Sequence, residues 1–263
     1  MVQISLIRNE LFDSYKELNS FLLDPQDTKY KNNVLISLNE TLRLSNELSE
    51  NAWVIKYKRK DISVALNKKL RLLKKEAIQL IKIRLDVNNQ YPSLAVGAFV
   101  MQPNSDKMTS SLSLAMNEMD AENTQLEKPK IFRDLINVRY LWTQILSVSR
   151  IYLANRVGSF SVNLLTRQEK SIEDMFNQLQ AKLLVLKTSG DAGELGFETT
   201  SAVEDMIESS TTWFSGFKEI KVIHHSDEWR KDAKIMKQTI SPAIDSIVEL
   251  LLDLENIISL VRS

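Results

Sequence analysis

The chain has 263 residues, 43% of them hydrophobic and 26% charged, with 34 Lys+Arg matched by 34 Asp+Glu. A formal net charge of zero argues against a nucleic-acid binder, which needs a basic surplus to neutralise phosphates. There is no cysteine, which excludes disulfides, thiol catalysis and Cys-based metal sites. The only histidines are the neighbours His224 and His225, which on a helix point about 100° apart and cannot converge on one metal or serve a Ser-His-Asp triad.

The pattern is helical almost throughout. Ile4, Ile7, Leu11, Leu18 and Phe21 keep a 3/4 spacing over about residues 2–23, with Ser14 filling the remaining position. Asp24 and Pro25 suit the cap and first residue of a second helix, whose apolar face is Leu35, Leu38, Leu42 and Leu44/Leu48. A third helix, about 61–90, carries Leu66, Leu70, Leu73, Ala77, Leu80, Ile81 and Leu85. The stretch "NNQYPSLAVGAFVMQP" (Asn88–Pro103) reads as a connector or kinked entry to a fourth helix, about 104–122, with Met108, Leu112, Ala115, Met116 and Met119.

The polar "ENTQLEKPK" (Glu122–Lys130) is the best linker. A fifth helix, about 131–157, stops at Gly158, and a sixth, about 166–188, stops at "SGDAGELG". A seventh covers about 197–223, "HHSDEW" turns the chain, and an eighth runs from about 228 onward. The expected fold is therefore all-α, with about eight helices forming two four-helix-bundle modules. The approximate halves are 1–125 and 128–263, with module membership free to interleave. A faint echo between "LIRNELFDSYKELNSFLLDPQ" and "NVRYLWTQILSVSRIYLANRV" pairs Arg8 with Arg139 and suggests an internal repeat.

Ile240, Ile244, Ile247, Leu251, Leu254, Ile258 and Val261 make an unbroken 4-3 seam in the last helix. It runs on without a cap, and the first helix starts without one. An even number of antiparallel helices puts the N- and C-terminal helices at the same pole. The expectation is a domain looped out from a membrane through flanking segments, with homodimerisation through the terminal helices as a further option.

Four stretches carry a resemblance: "ISLIRNELFDSYKELNSFLLDP" (Ile4–Pro25), "LDVNNQYPSLAVGAFVMQP" (Leu85–Pro103), "FRDLINVRYLWTQILSVSRIYLANRVGSF" (Phe132–Phe160) and "WFSGFKEIKVIHHSDEWRKD" (Trp213–Asp232). They look like parts of the extracytoplasmic sensor regions of bacterial transmembrane receptors, of the sensor histidine kinase or diguanylate cyclase/phosphodiesterase type. The broader similarity is to helical bimodular sensor domains. The resemblance implies a periplasmic domain of an inner-membrane protein that detects a ligand and passes a helix shift to cytoplasmic output domains. It also implies that this chain is not itself an enzyme.

The residues offer two candidate ligand sites. Arg139 and Arg150 are eleven positions apart, about 20° from alignment on a helix, and share a face with Trp142, Thr143 and Leu146. Two guanidiniums around an indole and a hydroxyl suit an anionic small molecule. The plain alternative is that both arginines are solvated or paired with acids such as Asp134, with Trp142 in the core. In the second candidate, Tyr91 and Phe99 flank small residues that could line a cavity between the bundles. The basic run "KYKRKD" (Lys56–Asp61) reads as a solvated face, and His224-His225 as a solvent-facing turn or a pH sensor. No metal site, cofactor or catalytic group is expected. The competing functional reading is a cytoplasmic helical scaffold or adaptor without a ligand.

Overall fold

The computed structural model describes residues 2–51, 54, 60–121, 128–157 and 162–262, and among these there is no strand. Helix α1 (Val2–Leu23) buries Ile4, Ile7, Leu11, Ser14, Leu18 and Phe21, the predicted stripe. Ser14 fits a core position because its hydroxyl donates to the Leu11 carbonyl at 2.7 Å. Helix α2 (Thr28–Glu50) starts three residues later than expected. Asp27 is its cap, accepting the Lys29 N–H at 2.8 Å, while Asp24 accepts the Gln26 N–H in the preceding turn.

Then come α3 (Lys60–Arg84), the single turn α4 (Val87–Gln90), α5 (Pro92–Val96), α6 (Gln102–Ala121) and α7 (Pro129–Val157). They are followed by α8 (Val162–Asp191), α9 (Phe197–His224), α10 (Lys231–Ile235) and α11 (Ser241–Arg262). The stop at Gly158, most of the linker before Pro129, the basic residues Lys56–Arg59 and the side chain of Val261 lie outside the described residues. None of the helices among the described residues is long and apolar enough to cross a membrane.

The contacts divide the chain into a discontinuous unit 1, Met1–Gln90 with Arg230–Ser263, and a continuous unit 2, Tyr91–Trp229. The expected halves at 125 and 128 thus interleave rather than follow the chain. Helix α11 belongs with α1 and α3 because its apolar seam completes their core. In unit 1, α1 packs on α2, α2 on α3, α3 on α11 and α11 on α1. Ile240, Ile244, Ile247, Leu251, Leu254 and Ile258 are all at most 6% exposed in that core, so the seam is occupied within the protomer. Pairing of terminal helices between two copies would have to use their outer faces. In unit 2, α6 packs on α7, α7 on α8, α8 on α9 and α9 on α6, around a core that draws on all four.

The long entry helix of each unit is built the same way. A single helical turn (α4, or the 3₁₀ turn Asp227–Trp229) leads to one extended residue, Tyr91 at φ −120°, ψ 87° or Arg230 at φ −146°, ψ 92°. A five-residue helix follows, then a π-turn, Gly97–Met101 or Met236–Ile240, that welds it to the long helix. In each case a proline, Pro103 or Pro242, sits at the second position after the π-turn. A proline inside a helix lacks the N–H and its ring crowds the carbonyl four residues back. Widening the preceding turn, so that the Gln102 N–H reaches the Gly97 carbonyl and the Ser241 N–H that of Met236, relieves the crowding. This is why the expected connector at 88–103 is mostly continuous helix.

Two polar clusters hold the ends. In unit 1 the buried Asp232 accepts from Arg230 at 2.9 Å, from Gln90 at 3.0 Å and from the Ala233 N–H at 2.8 Å. Arg84 in turn donates to Gln90 at 2.6 Å and to the Leu22 carbonyl at the end of α1 at 2.9 Å. In unit 2, Gly196 caps α9 but brings no side chain; the Glu118 carboxylate does that work from α6. It accepts the N–H of Thr199 at 2.6 Å and of Glu198 at 3.2 Å. A Cβ on Gly196 would lie 2.4 Å from a Glu118 oxygen, so the close approach requires glycine.

Candidate ligand-binding groove

Helices α6 and α7 touch each other least among the ring neighbours of unit 2, and a cavity of about 820 Å³ lies between them. Each helix contributes a full stripe at i, i+3, i+4, i+7, i+8 and i+11. From α7 these are Arg139, Trp142, Thr143, Leu146, Ser147 and Arg150; from α6 they are Thr109, Leu112, Ser113, Met116, Asn117 and Asp120. The sequence candidates Arg139, Trp142, Thr143 and Arg150 are thus brought together on one wall. The volume falls in the range of small-molecule sites, about 300–1,000 Å³.

Trp142 forms part of the wall from the core side. It is 2% exposed and packs edge-to-face on Trp213 of α9, with ring centres 5.3 Å apart. Its indole N–H is buried without an acceptor among the described residues. The guanidiniums of Arg139 and Arg150 are on exposed residues and neither forms an ion pair or hydrogen bond among the described residues. Asp134, the acid that could have neutralised them, is instead buried against Lys182 at 2.9 Å.

The hydroxyls divide by helix geometry. Thr109, Ser113 and Thr143 each donate to the carbonyl four residues back, so Thr143 lines the groove with its proton already committed. Asn117 and Ser147 make no such bond among the described residues and remain available. Ser147 lies on the same face as Arg139 and follows from its spacing. Asn117 is on α6, and no spacing rule tells which helix faces which.

Tyr91 and Phe99 do not line this cavity. Tyr91 is the extended residue before α5, and Phe99 is 71% exposed. In the π-turn, Gly97, Ala98 and Met101 face α7, while Phe99 falls on the far side. The small residues of the connector do line a second cavity, of about 390 Å³, with Leu94, Leu153 and Trp213. Leu146 and Arg150 line both cavities.

Of the histidine pair, His225 is exposed in the turn after α9, as expected, but His224 is not. His224 is 3% exposed and stacks on Tyr152, with ring centres 4.8 Å apart. One oxygen of the buried Glu169 accepts from the Tyr152 hydroxyl at 2.8 Å and meets His225 Nε2 at 2.8 Å. Lys221 lies 3.8 Å from the other oxygen and 2.8 Å from Glu173; the Glu173 hydrogen bond chiefly raises its pKa. This cluster satisfies a buried carboxylate and ties α7, α8 and α9 together at one end. Among the described residues, no three His, Asp or Glu side chains gather as metal ligands would.

No family model matches the chain, and neither a curated protein nor a solved structure gives a match.

Proposed function

We propose that this chain is the ligand-sensing region of a membrane-anchored bacterial receptor. In this reading it works outside the inner membrane, binds an anionic small molecule in the α6–α7 groove and passes a helix shift to cytoplasmic output domains. The observation that supports binding is the groove itself: two guanidiniums without a partner among the described residues, on one helix wall of an 820 Å³ cavity. Guanidinium is a strong carboxylate and phosphate donor. The receptor half rests on the four segments that resemble extracytoplasmic sensor regions.

The proposed signal is mechanical. Two helices with sparse mutual contact can adopt two packings of similar free energy, and a ligand biases them by its differential affinity. No side chain of this chain is given a catalytic role; any enzymatic output belongs to domains elsewhere in the receptor.

A thermal-shift panel of acetate, succinate, citrate, benzoate and phosphate tests the binding half, followed by titration of any hit against Arg139→Ala and Arg150→Ala. A hit is expected to weaken at least tenfold in one or both variants, about 1.4 kcal/mol or more. A hit that binds both variants at full strength sinks the groove as the site. The receptor half is tested by the complete gene: apolar spans of about 20 residues are expected on both sides of this region. A gene without them returns the scaffold reading.

A further inference from the structure

The two cavities in unit 2 differ in chemistry and meet at shared residues. The larger is lined by three charged side chains, Arg139, Arg150 and Asp120, with Asn117 and Ser147. The smaller is lined chiefly by carbon: Leu94, Gly97, Ala98, Met101, Leu153 and Trp213. Among the described residues that line it, Arg150 is the one charged group, and it stands at the boundary with the larger cavity. Of the polar side chains beside it, Ser105 is buried and two others are committed elsewhere. Ser149 donates to the Leu146 carbonyl at 2.9 Å, and Gln102 donates to Asp106 at 2.8 Å.

A polar chamber joined to an apolar one through one cation with no partner among the described residues describes the molecule that fits it. We propose that the ligand is an amphipathic carboxylate, its head held by Arg150 and its hydrocarbon or aromatic tail in the Gly97–Ala98–Met101 chamber beside Trp213. This deepens the reading of the groove as an anion site and rests on it. The tail chamber, about 390 Å³, exceeds the roughly 150 Å³ that suffices for a benzene ring in a dry cavity. The missing side chain at Gly97 keeps it open: a Cβ there would meet nothing closer than a Leu153 methyl at 4.0 Å. A fully charged metabolite such as a small tricarboxylate would leave this chamber unfilled and gain nothing from its walls.

The test is a homologous series, acetate, butanoate, hexanoate and octanoate, titrated calorimetrically into the full chain below micelle-forming concentrations. Affinity is expected to rise about three- to fourfold per added methylene until the chamber is full. Arg150→Gln lowers every carboxylate at least tenfold and leaves the length dependence. Gly97→Leu removes the length dependence, bringing butanoate, hexanoate and octanoate down to the level of acetate, which has no tail and is unchanged. Ala98→Trp, at an exposed position of the same wall, does the same and guards against a folding defect in the glycine variant. Affinity that is flat from acetate to octanoate in the parent chain overturns the tail chamber while the anion site stands. An unchanged length dependence in well-folded Gly97→Leu and Ala98→Trp overturns it too. If no carboxylate of the series binds while phosphate or citrate does, the amphipathic ligand is wrong and the anion site survives. If none of these anions binds, both readings fall.

Discussion

Units 1 and 2 share a ring plan but treat the corresponding arginine in opposite ways. Each unit is a ring of four helices entered through a π-turn and a proline, and the entry helices superimpose in sequence at an offset of 139, Pro103 on Pro242. On that offset Met116 of α6 corresponds to Glu255 of α11. The echo between α1 and α7 pairs Arg8 with Arg139, and these two helices hold equivalent places in their rings. In unit 1, Arg8 reaches Glu255 at 3.1 Å and the ion pair links α1 to α11. In unit 2 the position matching that acid is Met116, which lines the same cavity as Arg139. The pair is partly exposed, so it contributes only about 0–1 kcal/mol. Its importance is occupancy: Arg8 is neutralised within the protein, whereas Arg139 has no partner among the described residues.

The comparison assumes two separate cores, and the largest expected effect tests that. Leu254→Ala removes a side chain that is fully buried in unit 1 and should cost about 2–5 kcal/mol. Hydrogen exchange is expected to accelerate across α1, α2, α3 and α11 while α7, α8 and α9 keep their protection. Uniform acceleration through both units would show a single cooperative body and remove the basis for treating the grooves independently.

Met116→Glu gives unit 2 the acid that unit 1 already has. Arg139 should then pair across α6 and α7, and anions that bind the parent chain should weaken roughly tenfold, about 1.4 kcal/mol. The reciprocal Glu255→Met frees Arg8 and should change stability by less than about 1 kcal/mol. Anion affinity that is indifferent to Met116→Glu would separate Arg139 from the site and leave Arg150 as its only cation.

A last effect, of about the same size as the Glu255→Met limit, concerns the Glu118 cap on α9. Burial pushes the Glu118 pKa up, but hydrogen bonds from the Thr199 side chain and from the Thr199 and Glu198 N–H groups outweigh it and hold the pKa below 4.5. A depressed folded pKa contributes stability that is fully present above the unfolded value and disappears as pH falls through the folded one. Glu118→Ala should therefore cost about 1 kcal/mol at neutral pH, and that difference should shrink on acidification below about 4.5. A pH-independent difference in urea melts would assign the loss to packing and not to the cap.

Much of this was readable from periodicity. The stripe Ile4 to Phe21, the seam Ile240 to Ile258 and the face joining Arg139 to Arg150 are one-helix properties, and a 3.6-residue period determines them. What periodicity lacks is the partner of each face. Asn117 sits on the opposing helix, which spacing along α7 does not reach, and Phe99 is 71% exposed and lines neither cavity. The halves at 125 and 128 interleave for a related reason: unit membership follows the core that α11 completes. Asp134 illustrates the same limit from the electrostatic side. Its partner, Lys182, is 48 residues away on α8, while Arg139 is five away on the same helix.

The discontinuity of unit 1 also sets an order of assembly during synthesis. All the helices of unit 2 lie in one stretch of 139 residues, 91 to 229, and its core waits for nothing outside them. Unit 1 needs α11, which follows the insertion in the chain, to close on α1 and α3. Before unit 2 folds, that closure spans a long flexible loop. Once it has folded, α5 packs beside the Asp227–Trp229 turn and the two ends of the insertion are neighbours. Replacing a free loop of that length by a link of a few residues lowers the entropic cost of closure by roughly 3 kcal/mol. The inserted unit thus serves as the template on which the outer one is completed.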